Sequence, residues 1–183
     1  MTDVPDPLRE RILVLRCQAG DVQAFEEIVS TYGPRLRYYL LKLLGRPEAV
    51  EDAVQEIWLD VYRGLARLRR AESFRAWVYR IARDRAYRTL RQARPQRRLI
   101  DAELPAPDSE GEEFSEEEAK LIHAALEKLS AEHREVLLLR FLEELPYEEI
   151  AQITGCNLGT VKSRIHHAKR LLRQEMERLN DHE

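Results

Sequence analysis

Cysteine is nearly absent from this chain of 183 residues: Cys17 and Cys156 are the only two, with neither a CxxC pair nor Cys/His ligand spacing. That excludes a disulfide framework and a zinc-ribbon type of site, and it fits two thiols kept in a reducing compartment. Glycine (7) and proline (8) are too few for a collagenous or turn-rich β chain. No run approaches the roughly 18 apolar residues of a membrane span. The opening MTDVPDPLRE is acidic and lacks the apolar core of a signal peptide, so the expected compartment is the cytoplasm. Catalytic patterns are missing as well. The five histidines (His123, His133, His166, His167, His182) form no HExxH pattern, and no GxSxG or Gly-rich phosphate loop occurs. His166 and His167 would point about 100° apart on a helix, poor geometry for sharing one metal. Neither an enzyme, a metal site nor a cofactor is expected.

What remains is a helical, charge-rich profile with 44% apolar and 34% charged residues. The net charge of -3 argues against a nucleic-acid partner only until its distribution is read. Val61 to Ile100 holds thirteen arginines against two acids, Glu72 and Asp84, a formal +11. Asp101 to Glu118 holds nine acids and no base. A basic segment followed by an acidic one implies separate jobs along the chain.

The most informative stretch is Pro146 to Leu172, PYEEIAQITGCNLGTVKSRIHHAKRLL. Pro146 suits the opening of a helix, whose apolar face is Ile150, Ala151 and Ile153. Gly155 supplies a left-handed stop, and Asn157 an N-cap for a second helix from Leu158. On that helix Leu158, Val161, Ile165, Ala168 and Leu172 form one buried stripe. Thr160, Ser163, Arg164 and His167 share the other side, flanked by Lys162, His166, Lys169 and Arg170, with no acid before Glu175. A solvated basic helix in a bundle has that charge too. The turn, cap and apolar back together favour a helix-turn-helix that enters the major groove of DNA.

The fold class expected is all-α: two small helical domains joined by a flexible acidic linker, the second domain holding the helix-turn-helix. The boundaries are 8–98, 99–117 and 118–180. In the first domain, a helix from Leu8 to Ala19 closes at Gly20 and Asp21 caps the next. Gly33-Pro34 is expected to break that second helix, with a third over Arg35–Leu44. A helix from Pro47 to Leu65 carries the core stripe Val50, Val54, Ile57, Val61 and Leu65. Asp52, Gln55, Glu56 and Trp58 lie off it, as a protein-binding patch or as solvent acids beside a core Trp. The loop Ala66–Ser73, with Arg67, Arg69 and Arg70, leads to a helix from Phe74 to Gln92. There Trp77, Tyr79 and Tyr87 alternate with Arg75, Arg80, Arg83, Arg85, Arg88 and Arg91. Aromatic rings stack on unpaired bases while arginine tracks the backbone, although the rings could equally be core. Helical periodicity resumes at Glu116, and Ser130 caps a further helix through Leu142.

Four segments then carry a family resemblance: QAGDVQAFEEIVSTYGPRLRYYL, EDAVQEIW, FRAWVYRIARDRAYRTLR, and LEKLSAEHREVLLLRFLEELPYEEIAQITGCNLGTVKSRIHHAKRLL. Together they resemble a bacterial RNA polymerase sigma factor of the extracytoplasmic-function (ECF) group, over residues 10–95 and 118–173. The resemblance implies that Asp52, Gln55, Glu56 and Trp58 dock on the clamp helices of core RNA polymerase. It implies that Arg69, Arg70, Phe74, Arg75, Trp77, Tyr79, Arg80 and Arg83 read and melt the minus-ten element of promoter DNA. It assigns Thr160, Lys162, Ser163, Arg164 and His167 to the minus-thirty-five element, and the acidic linker to the polymerase's nucleic-acid channel. An anti-sigma factor is a further implied partner. Two departures stand out: Asp84 and Arg88 replace the usual Asn and Asp, and Glu144-Leu145-Pro146 the usual Gly-Leu-Ser. The residues alone also fit a stand-alone helix-turn-helix regulator that binds duplex DNA without polymerase, or an adaptor that binds acidic proteins.

Overall fold

The computed structural model describes residues 6–92 and 116–180. All regular structure among them is helical. The chain divides into two compact units, residues 1–107 and 108–183. The expected linker, 99–117, falls almost wholly outside the described residues.

In the first unit α1 is Pro7–Gln18, opened by Asp6, whose carboxylate accepts from Leu8 N at 3.3 Å. Asp21 then caps α2 (Val22–Leu44): its Oδ1 accepts from Ala24 N at 3.1 Å. The expected break at Gly33-Pro34 does not occur, and one helix of 23 residues runs through Pro34. Proline removes one backbone donor and crowds the preceding turn. Here buried residues on both sides, Tyr32 before it and Leu36, Tyr39, Leu40 and Leu43 after it, hold the segment in one line. Pro34 itself faces solvent. Tertiary packing outweighs the local signal.

Helix α3 (Pro47–Leu65) buries Val50, Ala53, Val54, Ile57, Val61 and Leu65, the stripe its periodicity predicts. A 3-10 turn at Ala71–Ser73 feeds α4 (Phe74–Gln92). Phe74 and Tyr79 are wholly buried. They meet Tyr32 and Tyr39 edge to face, with centroids 5.6 and 5.3 Å apart, each pair worth about 0.5–1.5 kcal/mol beyond area burial. These contacts fix the start of α4 against α2.

The second unit begins with α5 (Glu116–Lys128). Ser130 caps α6 (Ala131–Leu137), its hydroxyl accepting from His133 N at 3.3 Å. The helix expected to continue regularly to Leu142 instead widens into a π turn over Leu138–Leu142. Arg134 is wholly buried and donates from Nε to Leu126 O (2.8 Å) and from Nη2 to Glu127 O (2.9 Å) and Leu129 O (3.0 Å). It thereby satisfies carbonyls that the end of α5 would leave open. Pro146 is the N-cap of α7 (Tyr147–Thr154), one position earlier than the first helical residue expected of it. Helix α8 is Leu158–Asn180 and buries Val161, Ile165 and Ala168.

Candidate docking and nucleic-acid surfaces

Burying Ala53, Val54 and Ile57 turns Asp52, Gln55 and Glu56 outward, and all three are exposed. Trp58 is half-buried, so the alternatives of patch and core meet in one side chain. Its ring stands edge-on to Phe25 at 6.2 Å, and its Nε1 is buried without a hydrogen-bond partner. Phe25 also meets Tyr62 at 5.2 Å. Leu59 (52%) and Tyr62 (66%) are strongly exposed, giving this acidic face an apolar margin. Both lie off the Val50–Leu65 stripe, so the helical period alone could have marked them. Two ion-pair sets brace the acids. Arg37 of α2 grips Glu51 with two parallel bonds, Nε to Oε1 at 3.0 Å and Nη2 to Oε2 at 3.1 Å. That bond holds the Glu51 carboxyl below the usual carboxylate range. Arg85 of α4 reaches Glu56, and also Asp60 at 3.1 Å.

The basic surface starts at the loop between α3 and α4. Gln18 donates from Nε2 to Leu65 O (3.0 Å) and Leu68 O (2.8 Å), tying the loop to α1. Ser73 Oγ donates to Arg70 O at 2.7 Å. This leaves Arg69 and Arg70 exposed on a fixed backbone. On α4, Arg80 is exposed, while Arg75, Trp77 and Arg83 are half-buried. The Arg83 guanidinium lies 4.5 Å from the Tyr87 ring centroid.

Phe74 and Tyr79 correct the sequence reading. Both are fully buried, so neither presents a ring to a base, and their part is to support Trp77 and the arginines. The aromatic residues of α4 had read as core or as stacking platforms, and they divide between the two. Gly64 is a residue that sequence reasoning missed. A Cβ there would stand 2.7 Å from Trp77 Cζ2, so the bare backbone of α3 provides the seat for that indole. No local pattern marks it, because the seat depends on how α3 and α4 cross.

In the second unit, Gly155 ends α7 with φ +67, its N–H bonding to Ala151 O. Asn157 Oδ1 then accepts from Thr160 N at 2.8 Å to open α8. Lys162, Ser163 and His167 are exposed; Thr160 and Arg164 are half-buried on the same helix. Ser163 Oγ donates back to Thr160 O at 3.0 Å, and Arg170 Nη2 lies 3.2 Å from His167 Nδ1. Phe141 is exposed on the π turn, with Lys169 Nζ 5.5 Å from its ring. No group of three metal-ligating side chains occurs among the described residues. Nor is any described helix long and apolar enough to cross a membrane.

A helical unit with an acidic-aromatic face beside an arginine-aromatic helix, together with a second unit ending in a basic helix-turn-helix, defines a class of two-module transcription factors. The comparisons give the family. The description "Sigma-70 region 2" matches residues 28–96, and "Sigma-70, region 4" matches residues 119–172. The chain is 33% identical to the ECF RNA polymerase sigma-E factor of Haemophilus influenzae, over 95% of this chain and 98% of that one. It is 32% identical to the Escherichia coli K12 ECF sigma-E factor (95% and 97%) and 31% identical to the Pseudomonas aeruginosa RNA polymerase sigma-H factor (93% and 95%). Among solved structures, a Bartonella quintana sigma factor in complex with an anti-sigma factor superposes with a TM-score of 0.67 at 24% identity, covering 84% of this chain and 96% of that one. The chain belongs to the sigma-70 family and is an ECF RNA polymerase sigma factor.

Proposed function

We propose that this sigma factor works through three separate surfaces. Residues 8–98 form region 2, with Asp52, Gln55, Glu56 and Trp58 docking on core RNA polymerase. Arg69, Arg70, Arg75, Trp77, Arg80 and Arg83 contact the minus-ten element and hold its strands apart, with Phe74 and Tyr79 as their support. Residues 118–180 form region 4, in which Thr160, Lys162, Ser163, Arg164 and His167 read the minus-thirty-five element; residues 99–117 link the two. The mechanism is binding and strand capture. Lysine and arginine neutralise phosphate, side chains of α8 reach base edges, and the α3–α4 loop receives an unstacked base. The polymerase carries out the chemistry, so this chain needs none of its own and acts in the cytoplasm beside it. An anti-sigma factor covering these same surfaces is the natural regulator.

The observation that carries this reading is the outward Asp52–Gln55–Glu56 face on the helix that packs against arginine-rich α4. A stand-alone regulator has no use for such a face. The test is transcription by core polymerase on a pool of genomic promoter fragments, with and without this protein. New start sites should appear with it and vanish when Asp52, Gln55 and Glu56 are all changed to alanine. Unchanged transcription, with a duplex shifted by the protein alone, would establish the stand-alone regulator instead.

A further inference from the structure

Glu56 is one of the docking residues, yet its carboxylate already has a partner from the other side of the unit. Arg85, on α4, donates to Glu56 Oε2 and, through Nη2, to Asp60 Oδ2 at 3.1 Å. Glu56 and Asp60 are four residues apart on α3, so one guanidinium spans a full turn of the docking helix. The Arg85 side chain is only 20% exposed, whereas Glu56 and Asp60 are 53% and 43% exposed. The carboxylates therefore keep an open side toward a partner while the cation sits behind them. Of the neighbouring acids, Glu51 is held by Arg37, and Asp52 forms no ion pair among the described residues.

The residues that α3 and α4 bury are apolar apart from Tyr79. Apolar packing is non-directional and resists sliding along a helix axis weakly. A forked, charge-assisted contact fixes that register. Arg85 lies eight residues beyond Trp77 on the same uninterrupted helix, about 12 Å along its axis. Whatever displaces or fixes Arg85 is thus felt at Trp77.

We propose that Arg85 is a positioning residue that ties docking at Glu56 to the placement of α4, so that capture by polymerase and opening of the promoter are coupled through one guanidinium. The inference rests on the reading that α3 docks and α4 opens DNA. It makes the two activities separable. Without Arg85, the docking face gains uncompensated negative charge and attracts a cationic partner more strongly. At the same time α4 loses its axial anchor.

The test uses the full chain with core polymerase and a promoter found in the transcription assay above. Core affinity is read by titrating fluorescently labelled protein at low salt, and strand opening by a fluorescent base analogue at saturating polymerase. Arg85→Ala should bind core about threefold more tightly, an effect that fades with added salt. Its opening rate should fall about tenfold, the loss expected from a misplaced contact helix. Arg85→Lys keeps the charge but not the fork, and should restore wild-type affinity with only part of the opening rate. Docking that tightens or holds while opening slows supports the proposal. Equal losses in both, as simple destabilisation would give, or unaltered opening, overturn it. Asp52→Ala, measured alongside, separates the two levels. If it leaves core affinity unchanged, the docking role of α3 falls. If it weakens docking while Arg85→Ala behaves as wild type, only the role of Arg85 falls.

Discussion

Glu144 is the one described non-glycine residue with positive φ, at +53. It stands where the family often has glycine, so the departure seen in the sequence has a backbone meaning. A side chain in the left-handed region costs about 1–2 kcal/mol. Glu144→Gly should therefore raise stability by roughly 1 kcal/mol, less than the full strain because glycine also loosens the unfolded chain. Urea unfolding of the two proteins checks it. Arg134 runs the other way. Its buried guanidinium serves three carbonyls, and truncation would leave them unpaired in the interior. Arg134→Ala should cost about 3–5 kcal/mol, the range for a broken buried charged contact, seen as early melting of the region 4 unit. Arg164→Ala tests readout. If Arg164 touches a base edge, the loss should be about 1–3 kcal/mol at one promoter position; equal loss on every sequence means that it touches phosphate only.

At the scale of helices, legibility followed periodicity and caps. The α3 stripe, the Asp21, Ser130 and Asn157 caps and the Gly155 stop were all readable, because each depends on residues a few positions apart. What escaped depended on distant partners. The continuous α2 needs the core on both sides of Pro34, the π turn needs its own unit's packing, and Gly64 matters only where Trp77 crosses it. The surfaces divided in the same way. Asp52, Gln55 and Glu56 were legible as outward positions, while the burial of Phe74 and Tyr79 was not, since their α2 partners Tyr32 and Tyr39 are some forty residues away in sequence. Joints between helices also set the acid response. Asp21, capping α2 and bonded to Arg16, and Glu51, bonded to Arg37, both titrate below their ordinary values in the folded chain. Their contribution is thus fully present above the unfolded value, roughly pH 4, and is lost as pH falls through the lower folded value. Thermal unfolding between pH 6 and pH 2, taken as roughly the span on either side of that range, should show a shallower acid decline for the Asp21→Asn, Glu51→Gln double variant than for wild type.

For the whole molecule, charge is divided by task. The acids of α3 address a protein, and the cations of α4 and α8 address phosphate. Asp52→Ala should weaken capture of core polymerase on every promoter. Lys162→Ala should leave core affinity intact and reduce the salt dependence of promoter binding by about one counterion. Titrations against core and against promoter at several salt concentrations distinguish the two. The turn between α7 and α8 has a consequence of its own. Its geometry is set by Gly155 φ and by the Asn157 cap, neither of which is among the groups proposed to read bases. Thr160, Ser163, Arg164 and His167 project from a helix that is aimed without their help. Such a reading head can be re-lettered: the promoters this factor serves could drift, or be reassigned by design, through changes at those four positions while the mount that carries them stays as it is.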